Sequence, residues 1–438
     1  MLRIRFLFLM GVFLGCQKEA PFEPKSARLQ TLQTFGGERN DQAFDISVAP
    51  DGSYWVWAKT QSTAIAEHPR EATDFDAWGL HFSNAHVLEQ QIFLGGAADD
   101  RPQRTLSLSN TDRLIVGSTT DDSSAGQQDF WLQRITEDGE LIWKKTYGFS
   151  GVEIAYDALE MPNGDLIVCG IMDVTAAGGL GNFPADKSSQ KHAGGDYWVL
   201  RLNPQGEQLW SRYFGGTNTD TAYAVQSDTE GNLWVLGTSD SSDFDVTDNR
   251  GTYDGWLLVL SPQGNLIRQA SFGGTQLENI RVLEPNSHGD FYIVGDTRSS
   301  DGDVSNTLGG ADIWVVKVSP TAEILWEKTF GGPDFESAFD ALATSNGGLV
   351  VVGSSRSSSG DFTHNNGYND ALAFAIDAQG KLLWQKTWGG SDFDRAHAIV
   401  EDPLQGYRIV GTTASSDGDM PASNGFYDIF VAHLIPDE

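Results

Sequence analysis

Cysteine and positive charge are both scarce in this chain, and each shortage narrows what the protein can be. Two of its 438 residues are cysteines, so at most one internal disulfide can form. Lysine and arginine number 29 against 60 aspartates and glutamates, which gives a formal net charge of −31. Such a balance disfavours nucleic-acid backbones and anionic membrane surfaces, and suits cations, basic partners or simple solubility. We therefore expect no nucleic-acid partner.

An apolar run stands at the N-terminus, and it is too short to span a bilayer. Arg3 and Arg5 precede this run, Phe6–Leu14. It ends at Leu14-Gly15-Cys16, which resembles the lipobox of bacterial lipoproteins, with Phe13 where that motif usually has leucine. The resemblance implies that Cys16 is acylated and becomes the mature N-terminus. An ordinary cleaved signal peptide with an incidental cysteine is the alternative.

The residues after Cys16 indicate a cellular location and a flexible tether. Gln17-Lys18-Glu19 resembles the short signal that sends lipoproteins of Bacteroidota-type bacteria to the cell surface. The resemblance implies a protein held at the outer membrane or cell surface by its lipid alone. Residues 17–27, which include Pro21 and Pro24, predict a tether. We thus expect a signal segment at 1–16, a tether at 17–27 and one domain at 28–438.

A short phrase recurs along the chain and organises the rest of it. Its clearest copy is Trp388-Gly389-Gly390, with an acid, Asp394, four residues after the second glycine. Copies of this Gly-Gly phrase end at residues 37, 96, 149, 216, 274, 332 and 390, where 149 belongs to the degraded copy Tyr147-Gly148-Phe149. The spacing between copies is 53 to 67 residues. A repeat that fills the chain indicates one closed array rather than separate domains.

Each repeat contains four short segments that are rich in β-branched and aromatic residues and bounded by turn residues. In the sixth repeat they are Ser337–Ala343, Leu349–Ser354, Ala371–Ile376 and Leu382–Thr387. No stretch longer than a turn has helical periodicity. Four antiparallel strands repeated every 50 to 60 residues or so are typical of a β-propeller blade, whereas a β-solenoid would use shorter coils. Seven phrases predict an all-β, seven-bladed β-propeller.

The two ends of the array predict how the ring closes. The last repeat stops after its third strand, Ile429–Leu434. Leu29–Phe35 precedes the first phrase and has no partner in its own repeat. Pairing these two segments would complete the last blade and remove exposed strand edges. We expect the N-terminal strand to close the propeller.

Tryptophans recur at two places in the repeat. One set lies five residues before the first glycine of a phrase, after a turn that contains glycine: Trp143, Trp210, Trp326 and Trp384. This pattern resembles the tryptophan-docking repeat of quinoprotein-type propellers, in which an outer-strand tryptophan packs against the neighbouring blade. A second set recurs in the third strands and is predicted to be core: Trp78, Trp131, Trp198, Trp256 and Trp314. Cys169 replaces an apolar strand residue, which predicts a buried small hydrophobe.

Two columns of carboxylates accompany the phrases. The rim acids stand four residues after each phrase: Asp41, Asp100, Glu153, Asp220, Glu278, Glu336 and Asp394. The third-strand acids stand nineteen residues before the first glycine, or in the equivalent place of the truncated last repeat: Asp76, Asp129, Asp196, Asp254, Asp312, Asp370 and Asp428. Strand order places both columns on one face. Each acid either accepts backbone N–H bonds that fix a turn or binds a cation.

The links between second and third strands add further aspartates, and two links offer oxygen-only clusters. The candidate metal ligands are Asp301 and Asp303 with Asp312, and Asp417 and Asp419 with Asp428. Oxygen ligands of this kind suit Ca²⁺, although neither link contains the full twelve-residue loop with its bidentate glutamate. Calcium is the one candidate cofactor, and turn-fixing carboxylates are the alternative.

The third repeat departs most from the others, which makes it the candidate ligand site. Its link is a glycine-rich insert, Asp173–Gly195, with Lys187, Lys191 and His192 on an otherwise acidic face. A ligand site on a symmetric scaffold tends to lie where one repeat differs from the rest. A tolerated surface insertion is the alternative.

No motif in the sequence indicates a catalytic centre. It contains no Gly-x-Ser-x-Gly elbow, no phosphate loop and no metal-ligand spacing of histidines. We expect a monomeric, non-catalytic propeller lipoprotein that binds or scaffolds a protein or glycan through its acidic, loop-rich face. A carbohydrate-active or quinone-dependent propeller enzyme is the alternative, although the adjacent cysteines of the quinone enzymes have no match here.

Overall fold

The computed structural model describes residues 25–65, 68–69, 74–96, 98–121, 124–184 and 192–437. These residues form thirty β-strands and contain no helix, as the sequence predicts. Within this part of the chain, then, no helix is long and apolar enough to cross a membrane. The signal segment, Cys16, residues 17–24 of the predicted tether, Lys187 and Lys191 lie outside the described residues.

The strands follow one another in units of four. After β1 (Lys25–Phe35), unit 1 consists of β2 (Asp41–Val48), β3 (Tyr54–Thr60), β6 (Asp76–Phe82) and β7 (Leu88–Leu94), with a small hairpin, β4 (Ala64–Ile65) and β5 (His68–Pro69), in its link. Unit 2 consists of β8 (Asp100–Ser107), β9 (Arg113–Thr119), β10 (Asp129–Ile135) and β11 (Leu141–Tyr147). Unit 3 consists of β12 (Glu153–Glu160), β13 (Leu166–Asp173), β14 (Gly195–Leu202) and β15 (Gln208–Phe214).

The second half of the chain repeats the pattern. Unit 4 consists of β16 (Asp220–Ser227), β17 (Leu233–Ser239), β18 (Asp254–Leu260) and β19 (Leu266–Phe272). Unit 5 consists of β20 (Glu278–Pro285), β21 (Phe291–Thr297), β22 (Asp312–Val318) and β23 (Ile324–Phe330). Unit 6 consists of β24 (Glu336–Ala343), β25 (Leu349–Ser355), β26 (Asp370–Ile376) and β27 (Leu382–Trp388). The chain ends with β28 (Asp394–Glu401), β29 (Tyr407–Thr413) and β30 (Asp428–Pro436).

Units 1 to 5 are four-stranded antiparallel sheets, and the remaining long strands form one eight-stranded sheet. In that sheet the four antiparallel strands of unit 6 lie beside a second antiparallel group, β28, β29, β30 and β1, which we call the closing unit. The two groups are joined by a short parallel pairing of Lys25 and Ser26 with Trp384 and Gln385. Each group of four is therefore the same antiparallel module.

The predicted closing pair is confirmed. β1 runs antiparallel to β30, with Phe35 opposite Ile429 and Leu29 opposite Leu434. The strand begins at Lys25, however, so residues 25–27 belong to β1, whereas the sequence predicts that they are part of the tether. The reason is local burial and pairing, because Ala27 is buried against unit 6 and Lys25 pairs with β27.

The core lies between successive units rather than within one sheet. One cluster joins units 4 and 5, where the Trp234 and Phe291 rings stack with centroids 4.2 Å apart. Another joins unit 1 to the closing unit through Tyr54, Ile429 and their neighbours. Since the last group of strands packs on the first, the units form a closed ring.

The tryptophans and Cys169 take the places predicted for them. The indole N–H groups of Trp143, Trp210 and Trp326 donate to carbonyl oxygens of the next unit, at 3.1 Å to Pro204, 3.2 Å to Pro262 and 3.2 Å to Ala378. The third-strand tryptophans are fully buried, and so is the thiol of Cys169. An outer-strand tryptophan thus docks units 2, 3 and 5 onto their neighbours.

Candidate functional site

Strand order divides the molecule into two faces. We call the side with the Gly-Gly phrases and the links between second and third strands the loop face. The opposite side, with the turns between first and second and between third and fourth strands, is the hairpin face. Most hairpin turns are tight and use glycine at positive φ, as at Gly347 with φ of 81°. The loop face therefore carries the longer segments and both columns of acids.

The rim acids are buried side chains that hold the Gly-Gly phrases in place. All seven have no exposed surface. Asp220 accepts a hydrogen bond of 2.8 Å from the backbone N–H of Gly216 and one of 2.9 Å from the Ser241 hydroxyl. The same N–H bond recurs, at 2.7 to 2.9 Å, at Asp41, Glu153, Glu278, Glu336 and Asp394. This supports the turn-fixing interpretation of the column.

Four consecutive N–H groups of the phrase each have their own acceptor. At the start of unit 5, Gly274 donates to the rim acid Glu278. Gly273 donates to Asp303 at 3.2 Å, and Thr275 to Asp301 at 2.8 Å. Gln276 donates to the Ser299 hydroxyl at 2.9 Å. Buried backbone donors must be satisfied, so the aspartates of the link complete the turn.

Each of the six candidate metal ligands accepts a hydrogen bond from a backbone N–H group, and one of them also forms an ion pair. Asp417 and Asp419 repeat the contacts of Asp301 and Asp303, with Ser391 at 2.7 Å and Gly389 at 3.4 Å. Asp303 also pairs with Arg250 at 2.6 Å, and Asp428 accepts the Asn424 N–H at 2.6 Å. Asp312 accepts the Leu308 N–H. Within the residues that the structure describes, no group of three or more His, Cys, Asp or Glu could hold a metal ion.

The insert of unit 3 contributes its histidine to the interior. His192 is buried, and its Nδ1 lies 2.5 Å from Oδ2 of the third-strand acid Asp196. The imidazole also stacks on the Phe244 ring of unit 4, with centroids 5.0 Å apart. The structure thus places His192 in the packing between units 3 and 4. A ligand role for it stays a prediction, as it does for Lys187 and Lys191.

Third-strand acids face rim acids across the first glycine of six phrases, whereas only the third-strand acid Asp76 is among the nearest neighbours of Gly95. A methyl group added at Gly273 would lie 2.6 Å from Oδ1 of Asp254 and 2.4 Å from Oε2 of Glu278. The two carboxyl groups are thus within about 5 Å of each other, and only glycine leaves room between them. Burial and the neighbouring Glu278 carboxyl raise the pKa of Asp254 to about 7. Such a pair retains a proton that isolated carboxylates would lose.

Every first strand contains a β-bulge, and the extra residue of each bulge lines a central channel. The register with the second strand skips one residue three positions after each rim acid. The skipped residues all border one cavity of about 160 Å³: Phe44, Gln103, Tyr156, Tyr223, Arg281, Phe339 and His397. Around the ring the scaffold positions repeat, whereas these channel positions hold five residue types. The channel is where the units differ.

The loop-face mouth of the channel is positively charged. Burial, followed by the nearby charges of Arg395, Lys59 and Arg281, lowers the pKa of His397 to about 3, so the imidazole is neutral. The ion pairs of the described residues involve other cations than these three. Arg281 instead lies over the ring of Tyr223 at 5.5 Å.

Deeper in the channel the charge reverses. The Arg104 guanidinium lies 3.8 Å from Asp45 and 3.7 Å from Asp157, and these carboxylates raise its pKa. Burial raises the pKa of Glu284 to about 7 and that of Asp340 to about 6. Four carboxyl groups around one guanidinium make the middle of the channel acidic. An anion would be held at the mouth and repelled further in.

Sequence reasoning missed the channel residues because it followed what repeats. A partial signal was present, since the position three residues after each rim acid holds a large side chain, which in two units stands between alanines, as Ala222-Tyr223-Ala224 and Ala396-His397-Ala398. No sequence pattern predicts that Lys59 lies near Arg281 and Arg395. Those residues come from three different units.

The comparisons with known proteins agree with this architecture. Residues 209–245 match the family model SBBP, described as a beta-propeller repeat. The chain contains a β-propeller repeat. The matched segment runs from β15 through the phrase at Gly215-Gly216 and β17 into the following link. No curated protein matches the chain in sequence.

The chain also has matches among solved structures, at low sequence identity. The chain is similar to the WD40 domain of Pan2 from Neurospora crassa, at 11% identity over 94% of this chain and 98% of that one, with a TM-score of 0.47. It is similar to BBS1N, solved in complex with ARL6DN, at 11% identity over 94% and 97% of the two chains, with a TM-score of 0.48.

Proposed function

We propose that this protein is a seven-bladed β-propeller, held at the outer membrane or cell surface by a lipid on Cys16, that works as a non-catalytic binding module. Its loop face receives the ligand, and an acidic group of the ligand enters the mouth of the central channel. The closing unit, built from the two ends of the chain, is counted as the seventh blade.

One observation carries the proposal: in a chain with a net charge of −31, three cations that form no ion pair of 4 Å or less within the described residues lie near the channel mouth, with Asp296 acting on one of them, Arg281, from further away. Arg281 and His397 line the channel cavity, Arg395 and His397 line the cavity beside it, and the charge of Lys59 also acts on the neutral His397. Crowding like charges costs free energy, and burial together with the nearby Arg101 lowers the pKa of Lys59. An anionic ligand would remove that cost.

The size of the site limits what can enter it. The channel cavity of about 160 Å³ adjoins a second of about 150 Å³, and His397 borders both. The second is also lined by Phe393, Arg395 and Tyr427. Since one water occupies about 30 Å³ of liquid, each cavity takes a group of a few heavy atoms. A carboxylate or phosphate group fits, and the rest of a protein or glycan ligand would lie on the loop face.

We expect Arg281→Gln to weaken binding of a small acid by at least tenfold. A hydrogen bond to a charged group contributes about 1.5 to 3 kcal/mol, and each 1.4 kcal/mol or so is one factor of ten in affinity. The measurement is isothermal titration of the full-length protein with inorganic phosphate, glucuronate and a short acidic peptide. The affinity should also fall with rising ionic strength.

Arg356→Gln is the matched control, because Arg356 is exposed on the same face and lies over the Tyr368 ring, away from the channel. It should bind as the unaltered protein does. The proposal fails if none of the three probes binds, or if Arg356→Gln weakens binding as much as Arg281→Gln.

A further inference from the structure

A further cavity lies on the circumference of the ring, between the outer strands of units 2 and 3. Its volume is about 420 Å³. We call it the lateral pocket, and its walls are residues 146–149 at and after the end of β11, residues 180–184 of the unit 3 insert, Trp198, Gln208 and Ser211. None of these described residues also lines the channel cavities. The lateral pocket is therefore separate from the channel mouth.

One wall of the lateral pocket is a phenylalanine that replaces a glycine. Phe149 holds the place of the second glycine of the phrase, where a methyl group added at Gly216 would lie 2.5 Å from the Cβ of Ser241. Unit 3 has Val174 at the place of that serine. The centroid of the Phe149 ring lies 5.8 Å from that of the Trp198 ring. Unit 3 thus has an aromatic wall where other units have a tight glycine turn.

A second wall contains a serine that replaces a long polar side chain. Four residues before the first glycine of the phrase, units 1 and 4 carry Gln91 and Gln269, which accept the indole N–H of the third-strand tryptophan at 3.1 and 2.9 Å. Ser211 holds this place in unit 3. The Trp198 indole donates instead to the Gly181 carbonyl oxygen at 3.1 Å, and the Ser211 hydroxyl donates to the same oxygen at 2.6 Å. A bond that other units make within the sheet is made here to the insert.

The third wall is the insert itself, which follows the outer edge of unit 3. Phe183 and Ser211 exchange two backbone hydrogen bonds of 3.1 Å, so the insert extends the sheet beyond β15. The insert, the serine and the phenylalanine of the phrase are three departures from the repeat, and all of them meet in one pocket. A surface insertion that is merely tolerated requires no matching changes in the phrase and in β15. The lateral pocket is therefore a built feature of unit 3.

The lateral pocket is lined by uncharged side chains. In a chain with 60 acidic and 29 basic residues, none of the described residues that line it carries a charge. Arg212 donates to the Phe183 carbonyl oxygen, but it lies over the Trp210 ring, outside the lining. An ion that left water for this pocket would find no opposite charge in the lining. The lateral pocket thus favours a neutral ligand.

The lining combines exposed apolar surface with polar groups. Phe183 and Leu180 are 49% and 47% exposed, whereas Asn182 is 5% exposed. The Oδ1 atom of Asn182 accepts the Tyr213 N–H at 3.2 Å, and its Nδ2 atom has no hydrogen-bond partner within the described residues. An unsatisfied buried donor costs free energy, which a hydroxyl group of a ligand would recover. Aromatic walls with a few polar groups are the usual form of a site for a small ligand.

We propose that the lateral pocket binds one neutral sugar residue of a glycan. The C–H faces of the sugar lie against Phe149 and Phe183, and its hydroxyl groups bond to Asn182 and Gln208. A volume of about 420 Å³ holds about fourteen water-sized groups at about 30 Å³ each, which is about the size of one hexose. The proposal rests neither on the lipid anchor nor on the anion at the channel mouth. It gives the protein a second, independent site.

The test is isothermal titration of the full-length protein with cellotriose, maltotriose, mannotriose and chitotriose, and with trigalacturonate as the acidic comparison. We expect at least one neutral sugar to bind. Phe183→Ala should weaken that binding at least fivefold, because the ring is lost while the backbone bonds to Ser211 remain. Phe335→Ala is the matched control, since Phe335 is exposed to a similar extent, 42%, and lies on the loop face. It should bind the sugar as the unaltered protein does.

A second variant, Ser211→Gln, gives unit 3 the residue that units 1 and 4 have at this place. It should keep a cooperative unfolding transition in urea and bind the sugar at least tenfold more weakly, because the longer side chain occupies the pocket. Sugar binding that is unchanged in both Ser211→Gln and Phe183→Ala overturns the proposal.

The other outcomes are equally decisive. The proposal is wrong if no neutral sugar binds, or if trigalacturonate binds as tightly as the best neutral sugar. Displacement of the sugar by inorganic phosphate would place it at the channel mouth, which also overturns a separate site. Binding of a neutral tryptophan-containing peptide without any sugar would identify a protein partner instead. A failure of phosphate to bind contradicts the proposed function and leaves the lateral pocket unaffected.

Discussion

The protein that lacks Arg28–Phe35 should lose most of its stability, on the order of 5 kcal/mol or more, or fail to fold. The deletion removes most of the ladder between β1 and β30 and leaves β30 as an open edge. It also removes Leu29, Leu32 and Phe35, which pack on the closing unit and unit 1. Burial of such side chains contributes about 1.5 to 3 kcal/mol each when it is complete. Urea unfolding followed by tryptophan fluorescence measures the loss.

The matched control deletes Gln17–Pro24, eight residues that precede β1. We expect its unfolding midpoint to equal that of the unaltered domain, because the closing ladder is intact. A second variant, Phe35→Ala, keeps the ladder and removes only the ring that lies edge-on to Phe82, with centroids 5.0 Å apart. The unfolding midpoint of Phe35→Ala should lie between those of the two deletion variants. An unchanged midpoint in the Arg28–Phe35 deletion would show that the ring does not depend on its closing strand.

We expect the folded state to be less stable at pH 8 than at pH 5, by on the order of 5 kcal/mol. Burial raises the pKa of Glu153, Asp196 and Asp254 to about 7, and of Asp220 and Asp370 to about 6. A carboxyl with a raised pKa keeps its proton in the folded state where the unfolded chain has lost it. This contribution to stability is complete below about pH 4 and is lost as the pH rises to about 7.

The paired arrangement can be separated from general charge repulsion. Asp254→Asn replaces one carboxyl of a pair with an amide that can donate to Glu278, so the decline of stability between pH 5 and pH 8 should become shallower by about one proton. Asp301→Asn, at an exposed aspartate of the same face, should leave the decline unchanged. If 0.5 M salt removes the decline in all three proteins, the cause is the net charge rather than the buried pairs.

Much of the architecture could be predicted because each repeat contains the same four-strand pattern. The hydrophobic pattern of Leu349–Ser354 and the turn at Asn346-Gly347 recur in the other units with different residues. An ambiguous strand assignment in one unit can therefore be settled by comparison with the others. The closing pair followed from counting, since Leu29–Phe35 and Ile429–Leu434 each lacked a partner. The start of β1 at Lys25 was missed because the first two residues of the strand pair with unit 6, which no local pattern encodes.

The candidate site was harder to predict because it is made of differences between repeats. The rim acids were found as a column, and their bonds to the phrase agree with the turn-fixing interpretation. The aspartates of the links suggested calcium, whereas in the structure Asp301 and Asp303 bind the N–H groups of Thr275 and Gly273. Carboxylate oxygens suit both roles, and only the direction of the neighbouring backbone distinguishes them.

The sequence by itself determined the all-β repeat, the docking tryptophans, the two columns of acids and the strand that closes the ring. Each of these depends on residues near one another in the chain or on a count of repeats. The tertiary structure decided that rim acids and third-strand acids meet as buried pairs, and that Lys59, Arg281 and Arg395 converge at one channel mouth. Those contacts join residues up to several hundred positions apart, and they exist only because the closed ring brings every first strand to the same axis.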